Sequence, residues 1–570
     1  MEPHSRAHGS EVQAQGTSSQ RRVIITAALP YANNDLHLGH IASTYLPPDI
    51  LYRYLKHGKA EVIMICASDD FGTPILIAAE KAAKKPEEYV AYWRERFQQD
   101  LSGLGIDFDL FYATSSEENV ALTQHFFKEL YKNGYIYSSQ IDQFYCNVDK
   151  KFLPDRYVKG ACPYCGALDQ YSDGCENCGR TLQPGQILQP KCSICGTPPV
   201  KKTSMHYFFK LSSFSDQLKK WLEANEDLQS DARNYVLNWI KEGLQDWDIT
   251  RDISWGVKIP LEEAEGKVLY GWFDNHLCYI STALKVAGKH GKAGADYWNG
   301  ATTYHFIGKD IVYHHYLFLP SMRLGEGSFK LPDFIPTRGH LLLQDKKISK
   351  SRKWGITIRE YLAALPPDYL RFYLTRITPF AQTDSNFDLQ EFRAKVNNEL
   401  VANLGNFCYR SLVFVNREYA LTVPEPGEAG VAEKTLLAAV QKAVEETSQL
   451  IESGNYDRAL KALLDFGTSC NQYFQAKAPW EKRGDMNTAI YYAVNSVATL
   501  AMLLHPFLPF SSEDLWAQLS VGQPLSTVAW DAAGSMMLKP GHKIKEPKPL
   551  FKRVEETDLE ALQKYVEQKK

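Results

Sequence analysis

Two short motifs that lie roughly 300 residues apart constrain the fold of this chain most strongly. The first spans residues 30–40 (PYANNDLHLGH) and follows the apolar run 23–28, which is typical of a buried strand. Apolar residues then recur at helical spacing. We therefore predict His37 and His40 at a strand-to-helix turn, where backbone amides attract anions. Gly39 would let a flat base or ribose approach the backbone.

The second motif spans residues 347–351 (KISKS) and follows the apolar run 341–343. A lysine in such a polar loop, as Lys347 and Lys350 are, is a compact charge suited to a polyphosphate in its transition state. Each motif alone is a weak signal, because short histidine and lysine–serine patterns are common. Together, in this order, the two motifs predict a nucleotide site built from two halves of one sheet.

Seven of the eleven cysteines lie between Cys146 and Cys195, and three Cys-x-x-Cys pairs are each followed by glycine. In a chain without a secretory signal, such pairs are typical of zinc half-sites rather than disulfides. Two of the pairs, with nine residues between them, predict a structural zinc site of four thiolates. Its ligands would be Cys162, Cys165, Cys175 and Cys178.

The third pair, Cys192 and Cys195, needs a partner, and the candidate is Cys146 with Asp149. This segment is spaced like a half-site but ends in a carboxylate. Zinc accepts carboxylate oxygen, so a second, weaker zinc site is one interpretation. The alternative is a decayed knuckle that holds no metal, and the sequence leaves the two open. Neither site is predicted to be catalytic, because no open histidine or water position is suggested.

The order of patterns predicts an α/β fold with a Rossmann-type parallel sheet, interrupted by a zinc-knuckle insertion and followed by an α-helical bundle. Strand and helix patterns alternate, stop, and resume near residue 267, whereas helical faces dominate from about residue 395. The predicted segments are a disordered tail 1–21, the first half of the Rossmann domain 22–138, the connective insertion 139–245, the second half 246–354, a linking segment 355–394, the helical domain 395–535 and a basic C-terminal tail 536–570.

Composition narrows the classes of protein to which this chain can belong. The chain has 570 residues, 44% of them hydrophobic and 23% charged, which is ordinary for a globular protein of three or four domains. A net charge of −3 excludes a globally basic nucleic-acid binder, so any RNA contact must come from local patches. We find no apolar run of about 18 residues and no hydrophobic stretch near the start that would serve as a signal. We therefore expect a cytoplasmic protein without membrane contact.

Residues 28–31 (ALPY) and 37–40 (HLGH) resemble the first signature of the class I aminoacyl-tRNA synthetases. Residues 347–351 are similar to the second, with Ile348 in place of the usual methionine. The resemblance is to the methionyl-tRNA synthetase family in particular and extends from about residue 22 to about residue 550. It implies a methionine–tRNA ligase that activates methionine with ATP, with Mg²⁺ carried by the ATP. The methionyl group would pass to tRNA(Met) for translation initiation and elongation.

The resemblance also implies roles for individual residues. The residues that would catalyse the reaction at the ATP phosphates are His37, His40, Lys347 and Lys350. ATP would contact Pro30, Tyr31, Asn33, His37, Gly39, His40, Gly308, Asp310 and Lys350. The amino acid would bind with its ammonium on Asp69, among Leu29, Tyr31, Trp272, Asn275, His276, Tyr279, Ile311 and His315. A CAU anticodon would be read by Asn406, Arg410 and Trp480.

Three positions depart from the family pattern. Asn275 and His276 replace a usual Ala-Pro pair, and Leu319 stands where many members have tryptophan. Unpaired polar groups in a pocket cost about 1–3 kcal/mol each. The two polar side chains either turn outward and leave specificity unchanged, or reshape the pocket for another amino acid.

Two alternative functions therefore stay open beside the methionine ligase. One is a paralogue that activates a different amino acid, and the other is a catalytically inactive tRNA-binding protein. The retained anticodon residues favour methionine, and the retained signature residues disfavour lost catalysis. Many family members append a further RNA-binding or dimerising domain. Because this chain stops before one, we expect a monomer, with an RNA-binding factor acting in trans as a further candidate partner.

Overall fold

The computed structural model describes residues 21–154, 157–172, 175, 177–178, 180, 182, 186–289, 291, 294–348, 354–482 and 485–567. Lys350 and the first twenty residues of the predicted N-terminal tail lie outside the described residues.

The first part of the chain alternates strands with helices, as predicted. Its strands are almost entirely buried, because helices cover both faces of the sheet. The elements are β1 (Arg22–Ala27), α1 (Leu38–His40), α2 (Leu46–Lys56), β2 (Glu61–Ser68), α3 (Thr73–Lys81), α4 (Pro86–Gly103), β3 (Leu110–Ala113) and α5 (Glu117–Lys132).

The insertion follows as a long antiparallel hairpin with small sheets at its far end. Its elements are β4 (Ile136–Cys146), β5 (Lys151–Phe152), β6 (Val158–Ala161), β7 (Gln170–Tyr171), β8 (Leu188–Cys192), β9 (Val200–Phe209), α6 (Ser215–Ala224), α7 (Ser230–Glu242) and β10 (Trp247–Asp248). Strands β4 and β9 pair from Ile136 with Phe209 to Tyr145 with Val200. Strands β6, β7 and β8 form a separate sheet beside the cysteine pairs.

The chain then returns to the main sheet. The elements are β11 (Thr250–Arg251), β12 (Val257–Lys258), β13 (Val268–Leu269), α8 (Gly271–Lys289), α9 (Ala295–Asn299), β14 (Thr302–Gly308), α10 (Leu319–Glu326), β15 (Thr337–Arg338), β16 (Leu341–Leu343), β17 (Lys346–Lys347), α11 (Ile358–Leu362), α12 (Pro367–Ile377), β18 (Ser385–Phe387) and α13 (Leu389–Lys395). The predicted linking segment is thus built into the fold, since β18 pairs with β16 in parallel.

The main sheet is parallel, with strand order β15–β14–β1–β2–β3. The chain runs outward from β1 in one direction through β2 and β3, and in the other through β14 and β15. The order therefore reverses between β1 and β14. In open parallel sheets, ligands bind outside the carboxyl ends of the strands at such a reversal. The predicted Rossmann-type sheet is confirmed, and the sheet predicts where its ligand lies.

The C-terminal part is helical, as predicted. Its helices are α14 (Asn406–Tyr419), α15 (Val431–Glu452), α16 (Tyr456–Lys477), α17 (Met486–Leu504), α18 (Pro509–Leu519) and α19 (Glu556–Glu567). Helix α17 alone, among the described residues, is long and apolar enough to cross a membrane, but 89% of its apolar window is buried inside the protein. This burial is typical of a core helix. One hydrophobic core runs from the main sheet into these helices.

The C-terminal segment differs from the predicted basic tail. Its apolar side chains Leu538, Phe551, Val554 and Leu562 are buried against the rest of the protein. Its backbone also pairs with the helical domain, since the Val423 amide donates to His542 O at 2.8 Å. Lysines dominate the segment in sequence, but the apolar residues between them fix its position.

Candidate active site and metal centres

The turn after β1 carries His37 and His40, and backbone contacts fix both rings. His37 Nδ1 accepts a hydrogen bond from the Gly39 amide at 3.2 Å, and His40 Nδ1 accepts one from the His37 amide at 3.1 Å. The rings stack with their centroids 3.7 Å apart. Because Nδ1 is the acceptor in each ring, the neutral tautomer carries its proton on Nε2. Both histidines can therefore donate to an anion from Nε2.

The second motif lies against this turn. A Cβ atom on Gly39 would lie 3.5 Å from Cδ1 of Ile348. Beyond the second motif, the Leu38 amide donates to Ile356 O at 3.2 Å, and the Ile358 amide donates to Leu36 O at 3.1 Å. The chain that follows the lysine–serine loop is thus hydrogen-bonded to the histidine turn. Lys347 is exposed at the end of β17, and Lys350 lies outside the described residues.

The end of β14 completes the crevice on the other side of the strand-order reversal. Gly308 ends this strand, and a Cβ atom there would lie 2.7 Å from Oδ1 of Asp310 and 3.9 Å from Oγ of Ser43. Ser43 in turn donates to Gly39 O at 3.1 Å. The residues predicted to contact ATP on β14 therefore lie next to those on the turn after β1. Only a glycine leaves the β14 backbone open at this point.

Residues 30–32 and Asp69 are joined by their backbones. The Asp69 amide donates to Pro30 O at 2.9 Å, and the Ala32 amide donates to Asp69 O at 3.0 Å. The Tyr31 hydroxyl lies so close to Gly72 that a Cβ atom there would be 2.3 Å away. Gly72 also has φ +116°, which disfavours any other residue. The predicted nucleotide turn and the predicted amino-acid carboxylate therefore share one wall.

Two neighbouring acids at the end of β2 have different surroundings. Asp70 is paired with Arg94 at 2.5 Å and accepts a hydrogen bond from the Ser68 hydroxyl at 2.6 Å. Asp69 has no cationic partner among the described residues, and its Oδ1 has no hydrogen-bond partner there. Burial raises the pKa of Asp69, although the Asn275 amide, 3.5 Å away, opposes the shift. Asp69 is therefore a buried acceptor that lacks a cation.

The predicted side-chain pocket is aromatic and tightly organised. His315 Nδ1 donates to Ile311 O at 3.1 Å, so His315 Nε2 accepts the hydrogen bond from the Tyr279 hydroxyl at 3.0 Å. Burial lowers the pKa of His315 to about 4, so the ring is neutral at physiological pH. Trp272 stacks on His314 with centroids 3.6 Å apart and planes 7° from parallel.

The other apolar residues predicted for the pocket adjoin the same core. Leu29, Trp272 and Ile311 are half-buried and pack against the hydrophobic core on this side of the sheet. An apolar, aromatic pocket of this kind suits an unbranched thioether.

The two polar residues that depart from the family pattern are both buried within this group. Asn275 is 6% exposed and His276 is 1% exposed. The His276 ring lies 4.8 Å from the His315 ring and 5.8 Å from the Trp272 ring, centroid to centroid. The interpretation that both side chains turn outward is therefore wrong. Leu319, the third departure, is fully buried in α10.

Sequence reasoning missed Asp274, which lies beside Asp69. Its carboxyl is fully buried, and neither oxygen has a hydrogen-bond partner among the described residues. Burial and the charge of Asp69 raise the pKa of Asp274 well above its usual value. Two such carboxyls cannot both be ionised cheaply, so the pair retains a proton at neutral pH. An acid at the start of an amphipathic helix resembles an ordinary first-turn residue, so its burial leaves little signal in the sequence.

The three residues predicted to read an anticodon lie together on the helical domain. Asn406 and Arg410 are exposed one turn apart on α14. The Arg410 guanidinium lies over the Trp480 ring at 5.5 Å, and 38% of Trp480 is exposed. An exposed indole beside a guanidinium suits base stacking. The structure therefore places all three on one surface.

The first cysteine cluster fits a metal ion. Its four sulfur atoms lie within 4.8 Å of one another, with Cys162 and Cys178 at 3.9 Å and Cys165 and Cys175 at 3.6 Å. Tetrahedral zinc–thiolate bonds of about 2.3 Å require sulfur separations of about 3.8 Å. Among the described residues, the small core around the two clusters has ten buried members, of which four are cysteines. Metal ions or disulfides usually supplement cores as small as this one.

The second cluster brings together Cys146, Asp149, Cys192 and Cys195, also within 4.8 Å. Oδ2 of Asp149 lies 3.0 Å from the Cys146 sulfur and 3.1 Å from the Cys192 sulfur. The carboxylate thus occupies the position that a fourth sulfur would take. The Thr197 hydroxyl, 3.0 Å from the Cys195 sulfur, adds a further polar contact. Three thiols and one carboxylate form a donor set that suits a metal ion.

Comparison with known proteins agrees with this arrangement. Residues 23–412 match the family described as tRNA synthetases class I (M), and residues 423–569 match the anticodon binding domain of methionyl tRNA ligase. A methionine–tRNA ligase of Methanopyrus kandleri is 41% identical over 95% of this chain and 81% of its own length. One of Pyrococcus furiosus is 39% identical over 94% of this chain and 76% of its own length.

Solved structures show the same fold. Methionyl-tRNA synthetase of Mycobacterium tuberculosis bound by methionyl-adenylate superposes with a TM-score of 0.76 at 24% identity, covering 94% of this chain and 100% of that one. A second structure of that enzyme in complex with methionyl-adenylate superposes with a TM-score of 0.77. The strand order, the joined signature motifs and these matches lead to one conclusion: this chain belongs to the methionyl-tRNA synthetase family of class I aminoacyl-tRNA synthetases.

Proposed function

We propose that this chain is a methionine–tRNA ligase that forms methionyl-adenylate from methionine and ATP and transfers the methionyl group to the 3′ end of tRNA(Met). The observation that carries the proposal is the crevice at the strand-order reversal. There, two backbone-fixed histidines lie on a strand end that adjoins the one carrying Asp69, a buried carboxyl with no cationic partner in the described part of the chain. These are the groups that a nucleotide and an amino acid require side by side.

In the first step the methionine carboxylate attacks the α-phosphorus of ATP. A carboxyl oxygen–phosphorus bond forms, the bond to the bridging oxygen of the β-phosphate breaks, and pyrophosphate leaves. His37 and His40 donate from Nε2 to the phosphate oxygens as charge develops on them. We assign Lys347 and Lys350 to the leaving pyrophosphate, on the basis of their place in the second motif. Mg²⁺ would enter with ATP and neutralise part of the phosphate charge.

The nucleotide would lie along the two strand ends that form the crevice. Its contacts would come from the turn after β1 and from the end of β14, through Pro30, Tyr31, Asn33, Gly39, Gly308 and Asp310. In the second step a ribose hydroxyl of the tRNA terminal adenosine attacks the mixed anhydride and releases AMP. Both steps depend on positioning more than on covalent help from the protein.

The methionine ammonium would occupy the buried space beside Asp69. Asn275 donates its Nδ2 hydrogen towards Asp69, while its Oδ1 has no partner among the described residues. Oδ1 of Asp69 is unpaired as well. Unpaired acceptors without donors suit a group that carries three N–H donors. The side chain would extend towards Leu29, Tyr31, Trp272, His276, Tyr279, Ile311 and His315.

The helical domain would select the tRNA through Asn406, Arg410 and Trp480. We expect Trp480→Ala to lower kcat/KM for tRNA(Met) aminoacylation about 10–100-fold, because base stacking on an aromatic ring contributes about 1–3 kcal/mol. Methionine-dependent ATP–pyrophosphate exchange should be unchanged, since that step needs no anticodon. Tyr92→Ala, which removes another exposed aromatic side chain on α4, is the matched control. Equal loss of exchange and aminoacylation in Trp480→Ala would contradict this role.

We assign a structural Zn²⁺ to Cys162, Cys165, Cys175 and Cys178, and a second, weaker one to Cys146, Asp149, Cys192 and Cys195. Each ion would crosslink segments of the insertion and would take no part in the reaction. Mass spectrometry of the metal should find two zinc ions in the full chain. A chelator should remove the ion bound with Asp149 before it removes the ion bound by four cysteines. Asp149→Cys should make this second ion resistant to the chelator, and Asp149→Ala should abolish its binding. One ion per chain, unaffected by Asp149→Ala, would show that the second knuckle holds no metal.

We place the protein in the cytoplasm, where translation occurs, and propose that it acts as a monomer, with an RNA-binding factor in trans as a candidate partner. Light scattering of the full chain should give a mass near 64.7 kDa. A mass of two chains would contradict the monomer.

The deciding experiment is ATP–pyrophosphate exchange with each of the twenty amino acids, followed by aminoacylation of tRNA(Met). Exchange with methionine alone, and charging of tRNA(Met), are the expected results. Exchange with a different amino acid would overturn methionine specificity, and no exchange with any amino acid would overturn the enzymatic function.

A further inference from the structure

His276 is a fully buried imidazole whose hydrogen-bonding capacity is unused. Neither ring nitrogen has a partner among the described residues, although the side chain is only 1% exposed. Burial, reinforced by the neighbouring His315 and His314, lowers the pKa of His276 well below its usual value. The ring is therefore neutral and offers one N–H donor and one acceptor. Buried polar groups without partners are rare in folded proteins and call for an explanation.

The neighbouring side chains do not supply that partner. Both nitrogens of His315 are already engaged, one with Ile311 O and the other with the Tyr279 hydroxyl. The His276 and His315 rings lie edge to face, with centroids 4.8 Å apart and planes 71° apart. Phe318, whose ring centroid lies 6.0 Å from that of His276, is apolar. Since no side chain among the described residues pairs with His276, a molecule bound in the pocket would supply its partner.

The neighbour of His276 on α8 faces a different part of the site. Asn275 is directed at Asp69, the proposed ammonium ligand, whereas His276 lies among Trp272, His314 and His315. Consecutive helical residues point about 100° apart, so the two side chains can address opposite ends of one small ligand. His276 therefore faces the side-chain end of a bound amino acid and not its ammonium.

We propose that His276 is a specificity-determining residue whose ring N–H donates a hydrogen bond to the side-chain heteroatom of the bound amino acid, which is the thioether sulfur of methionine. This inference rests on the proposed function and deepens it. A thioether sulfur is a weak hydrogen-bond acceptor, whereas a methylene group in its place accepts nothing. An apolar pocket separates two such isosteres poorly, but a pocket with a buried N–H leaves that group unpaired when the methylene analogue binds.

The test compares methionine with norleucine, its methylene isostere, in ATP–pyrophosphate exchange by the full chain. We expect the ratio of kcat/KM for methionine to kcat/KM for norleucine to be about fivefold lower in His276→Phe than in the wild-type chain. A fivefold change is about what the loss of one neutral hydrogen bond produces. Phenylalanine keeps a ring at this position but has no N–H. His276→Gln, which retains an amide N–H, should restore most of the ratio. Most of the change should lie in the methionine value.

Three results would overturn the inference while leaving the proposed function intact. The first is that His276→Phe retains methionine exchange with an unchanged methionine-to-norleucine ratio of kcat/KM. The second is that this ratio falls as much in His276→Gln as in His276→Phe. The third is that the ratio changes only because kcat/KM for norleucine changes. Absence of exchange by the wild-type chain would instead overturn the proposed function itself.

A measurement on the wild-type chain covers the case in which the Phe variant fails to fold. With ¹⁵N-labelled histidine, one ring N–H resonance, assigned as the one missing in His276→Gln, should shift on addition of methionine. It should shift less with norleucine. An identical response to both ligands would contradict the hydrogen bond to sulfur.

Discussion

His40→Ala is expected to reduce kcat for methionine-dependent ATP–pyrophosphate exchange about 10²–10³-fold, the usual cost of removing one donor that stabilises developing charge. The structure shows why the ring can act in this way. Its Nδ1 accepts from the His37 amide, which leaves the proton on Nε2, and the ring stacks on His37. The loss should appear in kcat more than in KM for ATP, because charge builds on the phosphates in the transition state.

Two further variants separate this chemical role from the local structural one. His40→Asn retains an acceptor near the position of Nδ1, so it should preserve the turn and still lack activity. His40→Gln places an amide N–H near the position of Nε2 and should recover part of the rate. His125→Gln, at a largely exposed histidine, is the general control. If His40→Asn were as active as wild type, the assigned role of Nε2 would be wrong.

Asp69→Asn is expected to lower kcat/KM for methionine about 10²–10³-fold, the range for losing one partner of a buried ion pair. The carboxyl is buried and has no cationic partner among the described residues, so the substrate ammonium would supply one. KM for ATP should change little. Asn275→Ala should act in the same direction but by only about fivefold, because it removes a single long hydrogen bond to Asp69, worth about 1 kcal/mol.

A ligand supplies the control for this prediction. The desamino analogue 4-methylthiobutanoate has no ammonium, so its weak binding should be the same in wild type, Asp69→Asn and Asn275→Ala. Equal losses for methionine and for this analogue would show that Asp69 shapes the pocket and does not bind the ammonium.

The raised pKa of Asp69 adds a pH dependence to the same prediction. Burial raises that pKa to about 8, so at pH 7 the carboxyl is largely protonated in the free protein. A bound ammonium favours the ionised form of Asp69 and so lowers the pKa of this carboxyl. Methionine binding at pH 7 should therefore release a proton. Fewer protons should be released as pH rises through 8, because more of the carboxyl is then ionised before methionine binds. Calorimetry in buffers of different ionisation enthalpy measures this number. Proton uptake, or release that does not change with pH, would contradict the assignment.

Local sequence patterns predicted several parts of the site well. The apolar run 23–28 became β1, and the PYANNDLHLGH segment became the turn on which two histidines are fixed. The cysteine spacing predicted the four-thiolate cluster and offered Cys146 with Asp149 as candidate partners of the third pair, and both sets of side chains do meet. These features depend on turn chemistry, strand periodicity and short ligand spacings, which a few neighbouring residues carry by themselves.

Patterns of charge along the chain did not reveal the surroundings of two segments. The lysines after residue 536 predicted a basic tail, but buried side chains such as Leu538 and Phe551 attach that segment to the helical domain. Asp274 resembled an ordinary acid in the first turn of a helix, yet its carboxyl is fully buried beside Asp69. In both cases a residue's environment depends on which distant segment packs against it.

The sequence by itself determined the family, the Rossmann-type sheet, the cysteine clusters and the identity of the signature residues. Only the tertiary structure decided that Asn275 and His276 face inward, that Asp69 and Asp274 are neighbouring buried carboxyls, and that Ile348 of the second motif lies next to Gly39 of the first. The physical reason is that strand and helix periods are local, whereas burial and pairing arise between residues far apart in the chain. Strand β14 pairs with β1 across roughly 280 residues, and that pairing assembles the site.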